Sequence, residues 1–309
     1  MLWVILALIG AISNSAYYII IKNHIADRDL RILTALGMLI SGILLLMISA
    51  ARGFPVIGPE YYSAVIISGI LNIIGLALIF RALESSDLSL SMPMLSFTPV
   101  FLIGTSYLLL HEVPSTAGAF GISIIVSGSY VLNISAGHEH LLDPVKSMMQ
   151  NRGSWYMLIV AFLFAASINY DKIAMLNSDP VFGMAFTLLI ISGGFGCIVV
   201  LSHRSSGSSN LFSIEQKQVP SGHHQKPAVS LRHYVVPSVL AGVFVTAECI
   251  SINIAYTLQI APYVIAIKRL GIIFMVLYGT LLCAEDEVRT RLLASVLMVG
   301  GAVIILLFA

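Results

Sequence analysis

Ten long, predominantly apolar runs with few or no charged residues divide this chain, and they limit its fold more than any other feature. A helix needs about 20 apolar residues to cross the hydrocarbon of a bilayer. A segment in lipid must also satisfy its own backbone hydrogen bonds, which a helix does. We therefore predict an all-α polytopic membrane protein with ten transmembrane helices. The runs lie at 2–21, 32–51, 61–80, 88–110, 115–133, 154–176, 181–202, 234–258, 261–283 and 289–308.

Composition supports the same fold class. Hydrophobic residues make up 58% of the chain and charged residues only 10%, whereas a soluble domain averages about 25% charged residues. We expect a multi-pass protein of the cell membrane, with the lipid bilayer as its first partner.

The ten runs form one five-helix unit written twice. Residues in the first two runs match the second unit at an offset of 151 or 152, and from the third run onward the offset is 173. The offset changes because the connection 203–233 is longer than its counterpart 52–60. The matches include Trp3 with Trp155, Ser15 with Ser167, Tyr18 with Tyr170, Gly69 with Gly242, Ala82 with Ala255, Phe101 with Phe274, Glu112 with Glu285 and Gly128 with Gly301.

Each unit holds an odd number of runs, so the second unit must cross the membrane upside down relative to the first. Inverted repeats of this kind are the architecture of alternating-access transporters, which hold the substrate near the midplane between the halves. The predicted domains are a first five-helix repeat at 1–133 and a second at 154–309. A connecting loop at 134–153 joins them. The stretch 203–233, rich in Ser, Gly, Gln and His, is predicted to be a disordered loop within the second repeat.

Positive charge is distributed unevenly between the two sides of the predicted helices. Twelve of the 16 Lys and Arg residues lie in or beside odd-numbered connections, and only Arg52 and Lys172 lie in or beside even-numbered ones. By the positive-inside rule, the odd-numbered connections are cytoplasmic and both termini lie outside.

Two charged positions interrupt the uncharged runs, and charge inside the hydrocarbon points to function because it is costly. Glu248 lies in the eighth run and the doublet Lys268-Arg269 in the ninth. The two runs are antiparallel neighbours, and at about 1.5 Å per residue Glu248 and Lys268 reach similar depths below the turn that joins them. We predict that their side chains meet.

A buried ion pair can serve packing alone, and such pairs contribute little net stability. In the first unit, however, the three equivalent positions are uncharged: Gly75, Leu95 and Ser96. The first unit thus packs its equivalent helices without charge, which favours a ligand-binding role for the pair. Arg269 fits either role, because adjacent helical residues point about 100° apart.

Uncharged polar residues at membrane depth are further candidates for substrate binding. Helix–helix hydrogen bonding explains each of them as well as a ligand contact does. They are Asn14 and Tyr17 in the first run, Asn72 in the third and Asn169 in the sixth.

Other features concern the helices themselves. We interpret Asp171-Lys172, near the end of the sixth run, as a local charge pair at the interface, which a lysine can reach with its long side chain. Pro93 and Pro99 predict a bend in the fourth helix. The ninth run carries proline only at its start, as Pro262, where a helix tolerates it.

Common enzyme motifs are absent from the sequence. It contains no HExxH, no GxSxG and no phosphate-binding P-loop. The pairs His138 with His140 and His223 with His224 have no third metal ligand at a suitable spacing. We therefore expect no enzymatic activity, no metal or other cofactor, no ATP-driven step and no nucleic-acid partner.

A recurring block ends the fourth and ninth runs: Ala82-Leu83, Pro99-Val100-Phe101 and His111-Glu112, echoed by Ala255, Phe274 and Ala284-Glu285. With this block the chain resembles the EamA-type transporters of the drug/metabolite transporter superfamily along almost its whole length. The resemblance implies ten helices in two inverted repeats that carry small polar metabolites or amphipathic compounds without ATP. It also implies cytoplasmic termini, opposite to the charge count, and we follow the charge count.

Within that superfamily, the plastid triose-phosphate translocators carry a Lys-Arg doublet on the ninth span that holds the substrate phosphate. Lys268-Arg269 resembles this doublet. Those translocators add a lysine from the fourth span, whereas 88–110 holds neither Lys nor Arg here. The resemblance therefore implies an anionic or carboxylate-bearing substrate rather than a strictly phosphorylated one.

The working hypothesis is a secondary transporter that moves a small polar, anionic metabolite by alternating access. Lys268, with Arg269, binds the negative group, and Glu248 neutralises the cation when the site is empty. One alternative is proton-coupled efflux of cationic or amphipathic compounds through Glu248. Another is a flippase or a non-transporting membrane subunit. The expected partners are a small-molecule substrate and either a coupling proton or a counter-substrate.

The charge distribution predicts that the loop 203–233 is cytoplasmic. We expect a Ser208→Cys variant, cleared of the three native cysteines, to escape labelling by a membrane-impermeant maleimide on intact cells. Permeabilised cells should be labelled. Efficient labelling of intact cells would reverse the topology.

Overall fold

The computed structural model describes residues 1–24, 30–85, 92–133, 152–204, 232–275, 278 and 288–308. Its regular structure in these residues is ten α-helices and one 3₁₀ helix. The α-helices are α1 (Leu2–His24), α2 (Leu30–Arg52), α3 (Tyr61–Ser85), α4 (Thr98–Leu110), α5 (Thr116–Asn133), α6 (Arg152–Leu176), α7 (Ala185–Arg204), α8 (Arg232–Leu258), α9 (Ala261–Lys268) and α10 (Val288–Phe308). The 3₁₀ helix is Met92–Phe97.

The predicted all-α polytopic fold is confirmed, since each of the ten α-helices overlaps one of the ten apolar runs, with ends that differ by a few residues. Five of them, α1, α2, α3, α6 and α8, are long and apolar enough to cross a membrane, and four shorter apolar helices accompany them. The predicted connecting loop 134–153 and disordered loop 203–233 lie largely outside the described residues, as do the histidine pairs and Glu285. The helices α6, α7 and α8 take up the ends of both predicted loops.

The helices pack in matched sets. Helix α1 packs on α8 and α3 packs on α6, while α2 packs on α7 and α5 on α10. If α1 to α5 are exchanged in order with α6 to α10, this set of contacts is unchanged. The same exchange relates the α2–α8 contact to α3–α7 and the α4–α6 contact to α1–α9. Two repeats related by a twofold axis would pack in this way. The inversion and the domain boundaries stay predictions.

Glycine allows a close contact between α5 and α10. A Cβ built on Gly121 would lie 2.8 Å from the carbonyl oxygen of Gly301, and one on Gly301 would lie 2.7 Å from that of Gly121. Small residues of this kind let two backbones approach in lipid, where helices gain little from the hydrophobic effect.

The fourth and ninth runs form interrupted helices. In the fourth, the 3₁₀ segment ends at Phe97 and α4 begins at Thr98, with Pro99 in its first turn. The predicted bend thus coincides with a change from 3₁₀ to α-helical geometry, and the bend itself stays a prediction. In the ninth, α9 ends at Lys268, residues 269–270 form a turn, and helix resumes over 271–275.

The prediction of one continuous ninth helix over 261–283 is wrong at this turn. The amide of Arg269 donates to the carbonyls of both Ile265 (3.1 Å) and Ala266 (3.2 Å), and that of Leu270 donates to Ile267 (3.0 Å). Bonds that span three residues tighten the helix into 3₁₀ geometry. The offset of 173 places the residue that resumes the ninth helix, Gly271, opposite Thr98. Both interruptions therefore fall at equivalent positions.

The connections after α2, α4, α6 and α8 meet on one side of the bundle, which we call the even face. The ammonium of Lys172 forms an ion pair with Glu112 and donates to the carbonyl of Gln259 (3.1 Å). The other carboxylate oxygen of Glu112 accepts the amide of Ala261 (2.9 Å) at the start of α9. The ring of Tyr256 lies 5.6 Å from the ammonium. One carboxylate and one ammonium thus join the ends of four helices.

The interpretation of Asp171-Lys172 as a local charge pair is wrong. Lys172 is only 5% exposed and pairs with Glu112 from another connection. Asp171 accepts a hydrogen bond from Ser68 of α3 instead. Adjacent residues on a helix point about 100° apart, so the two side chains serve different neighbours.

We expect Lys172→Met to lower thermal stability, because Glu112 would stay buried without its cation. Removing one partner of a buried ion pair typically costs about 3–5 kcal/mol. Thermal unfolding in detergent measures the effect, and adding Glu112→Gln should restore part of the loss. The matched control is Arg52→Met at the exposed end of α2. Equal stability of the Lys172 and Arg52 variants would contradict the prediction.

Candidate functional site

An ion pair between α8 and α9 forms the centre of the candidate site. The ammonium of Lys268 contacts Oε1 of Glu248, so the predicted meeting of these side chains is confirmed. The amide of Asn14 on α1 donates to Oε2 of the same carboxylate (2.9 Å). The Lys268 side chain is 25% exposed and that of Glu248 13%. Three helices therefore converge on a pair whose side chains are partly exposed.

The interruption of the ninth helix places Lys268 at a helix end. Lys268 is the last residue of α9, where the carbonyl groups of the final turn carry partial negative charge. A cation at this end of a helix typically stabilises it by about 0.3–1 kcal/mol. The break thus supplies a local reason for a cation at this position.

Arg269 points away from that pair, toward the first interruption. Its Nη2 donates to the carbonyl of Leu95 in the 3₁₀ helix (3.1 Å). The same carbonyl accepts the hydroxyl of Thr98 (2.7 Å). The two residues of the doublet therefore have different partners. Lys268 pairs with the Glu248 carboxylate, and Arg269 joins the two interrupted helices.

Tyr17 lies beside the ion pair, one turn along α1 from Asn14. It packs against a cluster of α2, α7 and α8 side chains that includes Leu45 and Cys249, the neighbour of Glu248. Its ring makes an edge contact with Tyr18, at a centroid distance of 5.3 Å. Tyr17 thus forms part of the wall next to the site.

Asn72 belongs to a second polar group, between α3 and α6. Its Nδ2 donates to the hydroxyl of Ser167 (2.6 Å), which lies 2.9 Å from the hydroxyl of Ser68. Ser68 in turn donates to Asp171. We call Ser68, Asn72, Ser167 and Asp171 the Asp171 cluster.

Asn169 is fully buried between α6 and α4, apart from both groups. Its Nδ2 donates to the hydroxyl of Thr105 (2.9 Å) and the carbonyl of Ala165 (3.0 Å), and its Oδ1 accepts from Ser106 (2.6 Å). In this arrangement the amide holds two helices together.

The structure thus brings Asn14, Glu248 and Lys268 into contact, with Tyr17 beside them. Sequence reasoning missed the Asp171 cluster. A signal was present: Ser68 with Asn72 and Ser167 with Asp171 are each four residues apart, which places each pair on one face of its helix. Within the described part of the chain, no group of three or more His, Cys, Asp or Glu residues is arranged to hold a metal ion.

Gly271 lets α1 approach the interrupted ninth helix. The hydroxyl of Ser15 donates to the carbonyl of Gly271 (2.7 Å) and to that of Ala11 (2.8 Å). A Cβ on Gly271 would lie only 2.8 Å from the carbonyl oxygen of Ala11. A side chain at this position would therefore push the two helices apart.

We expect Gly271→Ala to lower thermal stability and to weaken ligand binding at Lys268, because α1 also carries Asn14. The matched control is Gly104→Ala on α4, where an added Cβ meets nothing within 4 Å. Thermal unfolding of the two variants in detergent measures the difference. Two curves that coincide with the unmodified protein would show that the close approach is unimportant.

The chain is similar to known membrane transporters over its first half. Residues 1–134 match the model of the EamA-like transporter family. Among solved structures, one described only as "Crystal structure of protein" is similar with a TM-score of 0.70 and 16% sequence identity, and the match covers 98% of each chain. At this identity the likeness shows the fold alone. No curated protein matches the chain. The family match covers 134 of the 309 residues, and this part of the chain is similar to the EamA-like transporters of the drug/metabolite transporter superfamily.

Proposed function

We propose that this membrane transporter is a secondary transporter that moves a small polar, anionic metabolite across the cell membrane by alternating access. The observation that carries the proposal is the Glu248–Lys268 ion pair at the interruption of the ninth helix. Interrupted helices near the midplane form the substrate sites of many secondary transporters. Lys268 supplies a cation at such an interruption, which supports an anionic ligand there.

An anionic ligand suits this arrangement because it can take the place of Glu248. The carboxylate or phosphate group of a substrate offers Lys268 the same partner that Glu248 offers it now. Arg269, the next residue, uses Nη2 for its bond to Leu95, and a guanidinium has five N–H donors in all. In the proposed cycle, a rotation of the Arg269 side chain brings its remaining donors to a ligand at Lys268.

The exchange of partners explains why the empty site is tolerated. An unpaired charge in the hydrocarbon costs roughly 2.5–3.5 kcal/mol on insertion scales. Glu248 removes most of that cost for Lys268, and Asn14 holds the carboxylate in place. When a substrate arrives, Glu248 keeps its hydrogen bond from Asn14 while the ammonium turns to the ligand.

The contacts on the even face support alternating access. Glu112 and Lys172 tie α9 to α6, and the hydroxyl of Tyr263 accepts the amide of Ser115 (2.7 Å) at the start of α5. These bonds tie helix ends together on the even face. A substrate leaving on that side requires them to break, so they act as a gate in the proposed cycle.

The two rival functions fit the contacts less well. For efflux of cationic compounds, Glu248 must be free to accept a cation, but Lys268 and Asn14 occupy both of its oxygens. A ligand cation would also be repelled by Lys268. For a subunit or flippase that uses these residues only for packing, the uncharged equivalents Gly75 and Leu95 show that such helices pack without an ion pair.

Substitution of Lys268 tests the proposed site. A thermal-shift screen of the purified protein against phosphorylated metabolites, dicarboxylates, amino acids and cationic dyes identifies the stabilising class, which we expect to be anionic. Lys268→Met should weaken that binding about thirtyfold or more, since losing one partner of a buried charge pair costs at least about 2 kcal/mol. Uptake of the same compound by proteoliposomes should fall to background.

Glu248→Gln separates the proposal from its rivals. Because Glu248 competes with the ligand for Lys268, this variant should bind the anion more tightly while the empty protein loses stability. The double variant with Lys268→Met should regain stability without binding. The matched control is Arg52→Met. Unchanged uptake by Lys268→Met would overturn the anion site, and loss of dye binding in Glu248→Gln would favour cation efflux.

A further inference from the structure

We propose that the Asp171 cluster is a proton-binding site, distinct from the Lys268 site, and that it gives the transporter its coupling ion. The inference that the proton is coupled to transport rests on the proposed function. Proton binding at Asp171 does not, and it is tested separately below.

The carboxylate of Asp171 lies within α6, between the Lys268 site and the even face. Its chain neighbour Lys172 contacts Gln259, at the turn between α8 and α9. Helix α9 begins at Ala261, just after that turn, and Lys268 lies seven residues further along it. A proton entering from the even face therefore reaches Asp171 before it reaches Glu248.

Asp171 differs from the other acidic groups of the bundle in its partner. Glu248 is paired with Lys268 and Glu112 with Lys172. Within the described residues, Asp171 forms no salt bridge and accepts a hydrogen bond from the uncharged hydroxyl of Ser68. Its negative charge is thus available to a cation, and a proton needs no more room than the existing hydrogen bond provides.

The hydrogen bonds of the cluster form a directed relay. An ionised carboxylate only accepts, so Ser68 must donate to Asp171, and Ser167 must then donate to Ser68. The amide of Asn72 supplies the last donor, to Ser167. When Asp171 binds a proton, its new O–H can donate back to Ser68. Ser68 then turns its own hydroxyl toward Ser167, and the Ser167 hydroxyl turns away from Ser68. The cluster can therefore hold either charge state with small rotations.

The charged and titratable groups around Asp171 come from α8 and α9. Lys268 of α9 acts on it electrostatically, and so do Cys249 and Tyr256 of α8. The 3₁₀ helix and α4 carry no charged residue, and α3 presents Ser68 and Asn72. An anion bound at Lys268 weakens the attraction that this ammonium exerts on the Asp171 carboxylate. Substrate binding thereby favours proton uptake, which is the link that coupled transport requires.

The site also adjoins the gate on the even face. Asp171 and Lys172 are consecutive, so the helix turn that holds the proton site holds one half of the gate ion pair. A change in the Asp171 bonds to α3 acts directly on the turn that must release Glu112. This gives proton binding a mechanical route to opening.

The carboxyl-directed reagent dicyclohexylcarbodiimide tests the proposal, because it is apolar and modifies protonated carboxyl groups. We expect reconstituted protein to be labelled at Asp171, located by peptide mass spectrometry, with a rate that falls as pH rises. Asp171→Asn should abolish this label. The matched control is Asp179→Asn, since the Asp179 carboxylate lies in the α6–α7 connection and is bonded to the amides of Val181 (2.7 Å) and Phe182 (2.6 Å).

Ser68→Ala tests the relay. It removes the donor that favours the ionised form, so labelling of Asp171 should persist to more alkaline pH. Ser63→Ala, at the exposed start of the same helix, is its control and should leave the pH profile unchanged. A structural role for Ser68 alone would change stability without moving the profile.

The remaining outcomes overturn the inference or separate it from the proposed function. Labelling at Glu248 in place of Asp171 would assign proton binding to the other site, and protection of Asp171 by sodium but not by choline would make it a sodium site. No labelling at any pH would exclude proton binding. Lys268→Met should retain the Asp171 label while it loses anion binding, so either site can fail without the other.

Discussion

Backbone groups freed inside a membrane protein must find partners, and this requirement organises the bundle. Two helices are interrupted within the apolar runs, and lipid offers nothing to the amides and carbonyls released there. The carbonyl of Leu95 accepts hydrogen bonds from Arg269 and Thr98, and that of Gly271 accepts one from Ser15. The amide of Ala261 donates to Glu112. Several of the charged and polar side chains therefore bond main-chain groups at or near the helix interruptions.

The charge that serves both interruptions comes from one half of the chain. The second half provides Glu248, Lys268 and Arg269, while the equivalent positions in the first half are apolar or small. Arg269 nevertheless bonds the first half, so a cation in one half completes the hydrogen bonding of the other. The helix contacts thus follow a twofold pattern, but the charges do not. A ligand bound between the halves would meet these charged side chains from the second half alone.

Sequence reasoning predicted the number of helices and the Glu248–Lys268 contact because both follow from simple rules. Uncharged runs of sufficient length mark the helices, and residues at matching depth on antiparallel neighbours can meet. The interruption after Lys268 was not predictable in this way. No proline lies at it, and the contact beside it is tertiary: α1 approaches closely at Gly271, where Ser15 donates to the Gly271 carbonyl. Lys172 was misjudged for a similar reason, since its partner Glu112 is 60 residues distant in the chain.

The bond between Arg269 and Leu95 has a consequence for the history of such a chain. Leu95 takes part through its main-chain carbonyl, which every amino acid possesses. The gene segment for the first half therefore needs no particular codon at this position for the bond to form. After a duplication, one copy is free to acquire an arginine in a single step, with its acceptor already present in the sister copy. Division of labour between the halves can begin without compensating mutations.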